Sequence, residues 1–243
     1  MTSLRVAGCG LMLFVACHAS AAGPLVVLDP GHGPSSPGAT GVCGAREVVY
    51  NDRFAGELAL ALESAGWRVV LTRRPGQDIG LLDRAQLANL LSATLLLSIH
   101  HDSVQPDDLK AVRCQGRTGY ETRQPVQGYA LFVSAENGDY AGSLRLATLL
   151  GDQLNAMGRS PNPYHAREIP GENRRFLDAR RGVYQYDGLA VLRHSRVPAV
   201  LLEIGVMTDR QDAAWLDRAD ARRAMVARVA AAIRQYGGQP GRR

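Results

Sequence analysis

Three apolar runs in this sequence each lead into a side chain that can bind a metal or carry a proton. The first run is followed by Asp-Pro-Gly-His-Gly, in which His32 lies between two glycines. The other two, beginning at Thr94 and Ala199, lead directly into His100 and Glu203. Functional residues of α/β proteins collect at the carboxyl ends of the strands. The pattern predicts that these three side chains lie at one edge of a sheet.

Strand-like and helix-like patterns alternate along the chain, which predicts an α/β fold. Further apolar strands are predicted at 67–72 and 128–134, and helical spacing occurs at 47–66, 81–91, 144–157 and 212–233. We expect a single domain built on a mostly parallel twisted sheet with helices on both faces. Two polar stretches, near 103–127 and 158–180, show no clear period and are interpreted as insertions.

The first residues have the pattern of an export signal. Arg5 supplies a positive charge, residues 11–16 are apolar, and Ala19-Ser20-Ala21 forms a small-x-small cleavage site. Residues 1–21 are therefore predicted to be a secretory signal peptide, and residues 22–243 the functional domain. The alternative is a lipoprotein signal ending at Cys17. The protein is expected to be periplasmic or secreted, and no later segment is apolar enough to cross a membrane.

Two cysteines remain after the predicted signal, Cys43 in the loop after His32 and Cys114 in the loop after His100. An exported protein meets an oxidising environment, where two cysteines can form one disulfide. The alternative is two unpaired thiols.

The chain is basic, with 28 Lys and Arg against 23 Asp and Glu and a formal net charge of +5. Nucleic acid is the usual partner of a basic protein. Here the arginines are scattered and no aromatic platform accompanies them, so a nucleic-acid partner is not expected.

His32, Glu47 and His100 form a candidate zinc site of two histidines and one carboxylate. Glu47 opens a predicted helix, where it could equally complement the helix dipole. Neighbouring side chains on a strand point to opposite faces, so His100 and His101 are not expected to ligate one metal together. Glu203 is the candidate general base, because a buried glutamate needs a cation, a hydrogen-bond donor or a proton.

The neighbouring polar residues have more than one interpretation. His101 is structural or contacts the substrate. Asp102 either holds a ligand histidine in its metal-binding tautomer or is an ordinary loop carboxylate. His165 and His194 lie in loops and are predicted to be surface residues.

Taken together, the motifs resemble those of the zinc-dependent N-acetylmuramoyl-L-alanine amidases, the bacterial cell-wall amidases. Residues 29–33 (Asp-Pro-Gly-His-Gly) resemble the opening motif of this family. Residues 46–51 and 98–100 resemble the segments that carry its second and third zinc ligands. Residues 82–89 are similar to the helix that precedes the third motif, and residues 197–205 resemble the segment with the catalytic glutamate.

The resemblance implies a Zn²⁺ cofactor and selects His100 over His101 as the third ligand, beside His32 and Glu47. It implies that Glu203 is the catalytic residue. Four further residues are candidates for supporting the ligands or contacting the substrate: Asn51, Arg84, His101 and Asp102. The chain departs from the family pattern at His101 and Asp102, which replace what is commonly an alanine and a short polar residue.

The activity implied is hydrolysis of the amide that joins N-acetylmuramic acid to L-alanine in peptidoglycan, by a zinc-activated water. Peptidoglycan or a muropeptide is the expected partner, and whether an activator protein is needed stays open. Arg174 and Arg175 are candidates for binding stem-peptide carboxylates, unless they form a solvated charged loop. The alternatives to the amidase are a zinc peptidase that cuts within the stem peptide, and a catalytically silent protein that binds peptidoglycan or activates other amidases.

Overall fold

The computed structural model describes residues 23–114 and 116–238; the predicted signal segment 1–21, with Cys17, lies outside them. Strands and helices alternate along most of the described chain, in the order β1 (Leu25–Pro30), α1 (Glu47–Glu63), β2 (Arg68–Leu71), α2 (Leu81–Leu90), β3 (Leu95–Asp102), β4 (Leu109–Cys114), β5 (Arg117–Thr122), β6 (Ala130–Val133), α3 (Tyr140–Ala156), β7 (Arg175–Asp178), β8 (Val183–Gln185), α4 (Ala190–Arg193), β9 (Ala199–Val206), α5 (Arg210–Asp217) and α6 (Ala219–Gly238).

Most of the strands form one seven-stranded sheet in the order β2-β1-β3-β9-β6-β8-β7. The first four strands in this order are mutually parallel. Strand β6 runs antiparallel to β9, β8 runs parallel to β6, and β7 runs antiparallel to β8. The prediction of a mostly parallel sheet in an α/β domain is confirmed.

Helices cover both faces of the sheet, as predicted. Alternate side chains of β1, β3 and β9 point to opposite faces. One set, which includes Val26 and Leu97, packs against α1, α3 and α6. The other set, which includes Val27 and Leu96, packs against α2 and α4. Burial on both sides explains why these strands are continuous apolar runs rather than alternating ones.

The two polar insertions contain structure that the sequence pattern did not indicate. Strands β4 and β5 form an antiparallel hairpin inside the first insertion. Most of their side chains are exposed or half-buried, so the hairpin has no apolar alternation from which it could be predicted. The second insertion ends in β7, an edge strand of the main sheet. Of the helices in the described residues, none is long and apolar enough to span a membrane.

Candidate active site

A tight turn after β1 carries His32, whose backbone adopts a left-handed conformation at φ 66°. Two buried arginines hold this turn through its carbonyl groups. Arg73 donates from Nε to the His32 carbonyl oxygen at 2.6 Å and from an Nη to that of Gly31 at 2.9 Å. Arg84 donates to the carbonyl oxygens of Pro30 and His32 at 2.9 and 2.7 Å. The predicted supporting residue Arg84 therefore positions the backbone of His32.

Asp29 fixes Arg84 in turn. Its carboxylate pairs with the Arg84 guanidinium at 2.6 Å and also accepts from the hydroxyls of Thr72 and Ser98 at 2.6 and 2.7 Å. All four side chains are buried. This buried ion pair, together with the bonds to two hydroxyls and two backbone carbonyl groups, gives the His32 turn a fixed geometry. The supporting role of Arg73 was not predicted, because an arginine after a strand carries no signal that separates it from a surface charge.

Glu47 is the first residue of α1 and is 5% exposed. Its Oε2 lies 3.0 Å from Nε2 of His32, and its Oε1 lies 3.0 Å from Nδ1 of His100. The backbone N–H groups of Ala39 and His101 also donate to the carboxylate. Burial alone would raise the pKa of Glu47, but the hydrogen bonds from His100 and His32 outweigh it and hold the pKa well below its ordinary value. Glu47 is thus poised as a carboxylate between two imidazoles.

The ligand atoms of His32, Glu47 and His100 all lie within 4.8 Å of one another. Two imidazole nitrogens and one carboxylate oxygen are the donor set of many catalytic zinc sites. Two glycines make room for the cluster. A Cβ at Gly31 would overlap the His100 ring, and a Cβ at Gly38 would overlap Glu47 and His32. The residues present therefore fit a zinc ion.

Asn51 and His101 lie behind this cluster and are both buried. The Asn51 amide donates to the Gly31 carbonyl oxygen at 3.2 Å and to Glu47 Oε1 at 3.3 Å. Its oxygen then accepts from Nδ1 of His101 at 2.7 Å. Burial lowers the pKa of His101 to about 3, so this ring is neutral. Both residues support Glu47 and the His32 turn.

Asp102 holds a histidine, but not one of the three cluster residues. Its Oδ2 lies 2.8 Å from Nε2 of His165 and accepts from Asn162 at 3.0 Å. The other ring nitrogen of His165 lies 2.9 Å from a carboxylate oxygen of Glu172. The prediction that His165 is a surface residue is wrong, since it is 8% exposed. Burial alone would lower its pKa, but Asp102 and Glu172 raise it to about 10.

Glu203 lies on β9 directly opposite His100 of β3 in the parallel ladder. Its Oε2 is buried and has no hydrogen-bond partner in the described part of the chain. Burial raises the pKa of Glu203 well above its ordinary value, and the charges of Asp102 and Glu47 raise it further. A carboxyl group with a raised pKa and a free oxygen can take a proton from one group and return it to another.

Two cavities flank the row formed by His32, His100 and Glu203. The larger, about 550 Å³, is lined by His32 and His100 with polar loop residues such as Ser35. The smaller, about 250 Å³, is lined by Glu203, Asp102, Ser103, Gln105, Phe132, His165, Gly171, Glu172, Arg174, Tyr186, Leu189 and Leu201. A substrate extended across the row could occupy both cavities.

The predicted disulfide between Cys43 and Cys114 is present. It joins the loop that follows His32 to the β4–β5 hairpin. Gly119 of the hairpin packs so closely on this loop that a Cβ there would overlap the carbonyl oxygen of Val42. The hairpin is therefore attached to the loop by both a covalent bond and backbone packing.

The sequence matches a known protein family over most of its length. Residues 26–235 match the family described as N-acetylmuramoyl-L-alanine amidase, Amidase_3. The probable cell wall amidase LytH of Staphylococcus saprophyticus is 30% identical over 189 residues, which cover 77% of this chain and 49% of that protein. An N-acetylmuramoyl-L-alanine amidase of Mycobacterium tuberculosis is 28% identical over 234 residues, covering 85% of this chain and 83% of that protein. The chain spans about half the length of LytH and of the AmiC amidase of Neisseria meningitidis.

Solved structures of amidases share the fold. The amidase Ami1 of Mycobacterium smegmatis aligns with a TM-score of 0.69 at 21% identity, covering 89% of this chain and 98% of that chain. The amidase AmiC2 of Nostoc punctiforme aligns with a TM-score of 0.64 at 26% identity, covering 88% and 96%. Because the family match includes all three cluster residues and Glu203, the sequence, fold and site agree that this chain belongs to the N-acetylmuramoyl-L-alanine amidase family.

Proposed function

We propose that this chain hydrolyses the amide bond between N-acetylmuramic acid and L-alanine in peptidoglycan. The observation that carries the proposal is the cluster of His32, Glu47 and His100 beside the unpartnered carboxyl of Glu203, in a chain of this family. His100 of the cluster and Glu203 lie on neighbouring strands, with a cavity beside each of them, so an extended substrate can reach both.

We infer that His32, Glu47 and His100 hold Zn²⁺. When bound there, Zn²⁺ supplies Lewis acidity that polarises an amide carbonyl and makes water a stronger nucleophile. Three observations support this inference: the donor set of the cluster, the low pKa of Glu47, and the space that Gly31 and Gly38 leave around the ligands. Asn51 and Arg84 keep the ligands in place through Glu47 and the His32 backbone.

Glu203 acts as general base and then as general acid. Its free Oε2 takes a proton from the attacking water and later gives a proton to the leaving nitrogen of L-alanine. The buried position of the carboxyl raises its pKa and so makes the return of the proton favourable. An amidase needs this proton transfer by Glu203, whereas a catalytically silent peptidoglycan-binding protein does not.

Export belongs to the same proposal. Peptidoglycan lies outside the cytoplasm, which supports the proposal that residues 1–21 act as a signal peptide and residues 22–243 form the zinc amidase domain. Cleavage at Ala21 rather than lipid attachment at Cys17 is expected, and the mass of the mature protein measures which of the two occurs.

The test is a digest of purified peptidoglycan, with and without a metal chelator, read by mass spectrometry. The amidase releases intact stem peptides that begin with L-alanine, and chelator stops the release. A zinc peptidase would instead release fragments cut within the stem peptide. We expect Glu203→Gln to lower the rate at least about a hundredfold, the usual contribution of a general base. The exposed Glu63, at the end of α1, gives the matched control Glu63→Gln.

The outcome also separates catalysis from binding alone. Unchanged release by Glu203→Gln would remove this residue from the mechanism. Failure of the unsubstituted protein to release any product, with Zn²⁺ present, would contradict an amidase activity that needs no activator protein.

A further inference from the structure

The 250 Å³ cavity beside Glu203 contains one arginine, Arg174, that the proposed mechanism does not use. The backbone of Arg174 is anchored to the site, because its N–H donates to the His165 carbonyl oxygen at 2.6 Å. The His165 ring is itself held between Asp102 and Glu172. The backbone of Arg174 is thus held in place at the cavity that Glu203 also lines.

The guanidinium of Arg174 is oriented by an aromatic ring and a backbone carbonyl group, not by a direct ion pair. The Cζ atom of Arg174 lies 3.8 Å from the centre of the Tyr186 ring, and one Nη donates to the Gly171 carbonyl oxygen at 2.7 Å. An arginine has five N–H donors, so most of them stay available. Among the described residues, no carboxylate forms an ion pair with this group.

The nearby acidic residues are already engaged. His165 contacts both Asp102 and Glu172, and Glu172 also accepts from the Gln105 amide at 2.6 Å. Arg174 is therefore the cation in this cavity that keeps most of its donors uncommitted. A planar guanidinium that is stacked on a ring and loses little freedom on binding is suited to a carboxylate, which it can meet with two parallel hydrogen bonds.

We propose that Arg174 binds a free carboxylate of the stem peptide and thereby determines which stem peptides this amidase prefers. The inference rests on the proposed function. The lactyl carboxyl of N-acetylmuramic acid is consumed in the scissile amide, and the other groups of the glycan are neutral. A carboxylate close to Glu203 must then come from the peptide side of that amide, so the 250 Å³ cavity holds the peptide and the larger cavity beside His32 holds the glycan.

Arg175 provides the matched control. It is the first residue of β7, is exposed, and does not line the cavity, although it is the next residue along the chain. The structure thus separates two arginines that the sequence presents as equivalent.

The experiment measures binding, so that its result does not depend on cleavage. Zn²⁺-supplied Glu203→Gln protein is titrated calorimetrically with two ligands, N-acetylmuramoyl-L-alanyl-D-glutamate and its diamide, in which both glutamate carboxyls are carboxamides. We expect the diacid to bind about tenfold more tightly, as for a charged hydrogen-bonded pair. Adding Arg174→Ala to this protein should weaken the binding of the diacid alone, so that the two dissociation constants become similar. Adding Arg175→Ala should leave the preference for the diacid intact. Arg174→Lys, which keeps the charge without the planar fork, restores part of it.

Equal binding of the diacid and the diamide overturns the proposal, as does a preference that survives Arg174→Ala, or the absence of binding by either ligand. The proposed function is judged separately, by the mass of the products that the unsubstituted protein releases from the diacid. Cleavage at the muramoyl amide without any preference would leave the amidase standing and remove Arg174 from its specificity.

Discussion

At the scale of single residues, the candidate metal cluster depends on glycines that leave room for it. Gly38 has φ 73°, a conformation that favours glycine, and a Cβ there would overlap Glu47 and His32. We expect Gly38→Ala to weaken Zn²⁺ binding about tenfold or more, as changes to residues that support metal ligands usually do. Competition with a chromophoric chelator measures the affinity. The control is Gly56→Ala within α1, where a Cβ meets nothing within 4 Å; it should keep the affinity.

His165 makes a second prediction at this scale, about stability. Its pKa is raised to about 10 from an ordinary 6.5, so the imidazolium stabilises the fold fully below about pH 6.5 and loses this effect as the pH rises toward 10. Asp102 and Glu172 are the carboxylates that face it, and the titratable Glu203 lies nearby. We expect His165→Gln to lower the free energy of unfolding by about 3 kcal/mol at pH 6.5, the cost of leaving a buried pair without one partner.

Urea unfolding at pH 6.5 and 9.5 checks the sign of this effect. The gap between the unsubstituted protein and His165→Gln should narrow at pH 9.5, because only the former has a histidine that must hold a proton when folded and releases it when unfolded. A gap that stays constant or widens would show that His165 is held as a neutral ring.

At the scale of elements, the strands that carry the site could be predicted and the elements that surround it could not. Strands β1, β3 and β9 are buried on both faces and are recognisable as apolar runs that end in a functional residue. The β4–β5 hairpin and β7 contribute few buried side chains, so their sequences lack such a signal. Strand β8 has two buried residues but is only three residues long, too short to show a pattern. The pairing of His165 with Asp102, 63 residues earlier, depends on β6 and β8 bringing the second insertion beside β3, which no local pattern reveals.

The disulfide is the element-scale prediction that can be measured most directly. Cys43 and Cys114 are separated by 71 residues, and in the chain-entropy account such a link stabilises the folded state by about 4 kcal/mol. We expect the double change Cys43→Ser and Cys114→Ser to lower the free energy of unfolding in urea by about this amount. The unsubstituted protein in reducing agent should match the double variant, which should itself not respond to reductant. Equal stability of all four samples would contradict the prediction.

At the scale of the whole molecule, the sheet order explains how distant segments form one site. Strand β3 lies between β1 and β9, so the carboxyl ends of three parallel strands bring His32, His100 and Glu203 side by side. Helix α1 then starts at the same edge and adds Glu47. This convergence could be predicted because parallel strands must end at a common edge, whereas the division of the crevice into two cavities depends on insertions whose course the sequence does not indicate.

In this topology a metal at the cluster would link three elements, since the turn after β1, helix α1 and strand β3 each contribute one candidate ligand. A metal that binds the folded chain alone stabilises it by mass action, and Zn²⁺ at a hundred times its dissociation constant adds about 2.7 kcal/mol. For a domain of this size, that corresponds to a rise in the melting temperature of about 5–10 °C. We expect calorimetry to show this rise on adding Zn²⁺, its reversal by chelator, and its loss in Glu47→Gln but not in Glu63→Gln. An equal rise in Glu47→Gln would mean that Zn²⁺ stabilises the protein from another position and that the cluster is not the metal site.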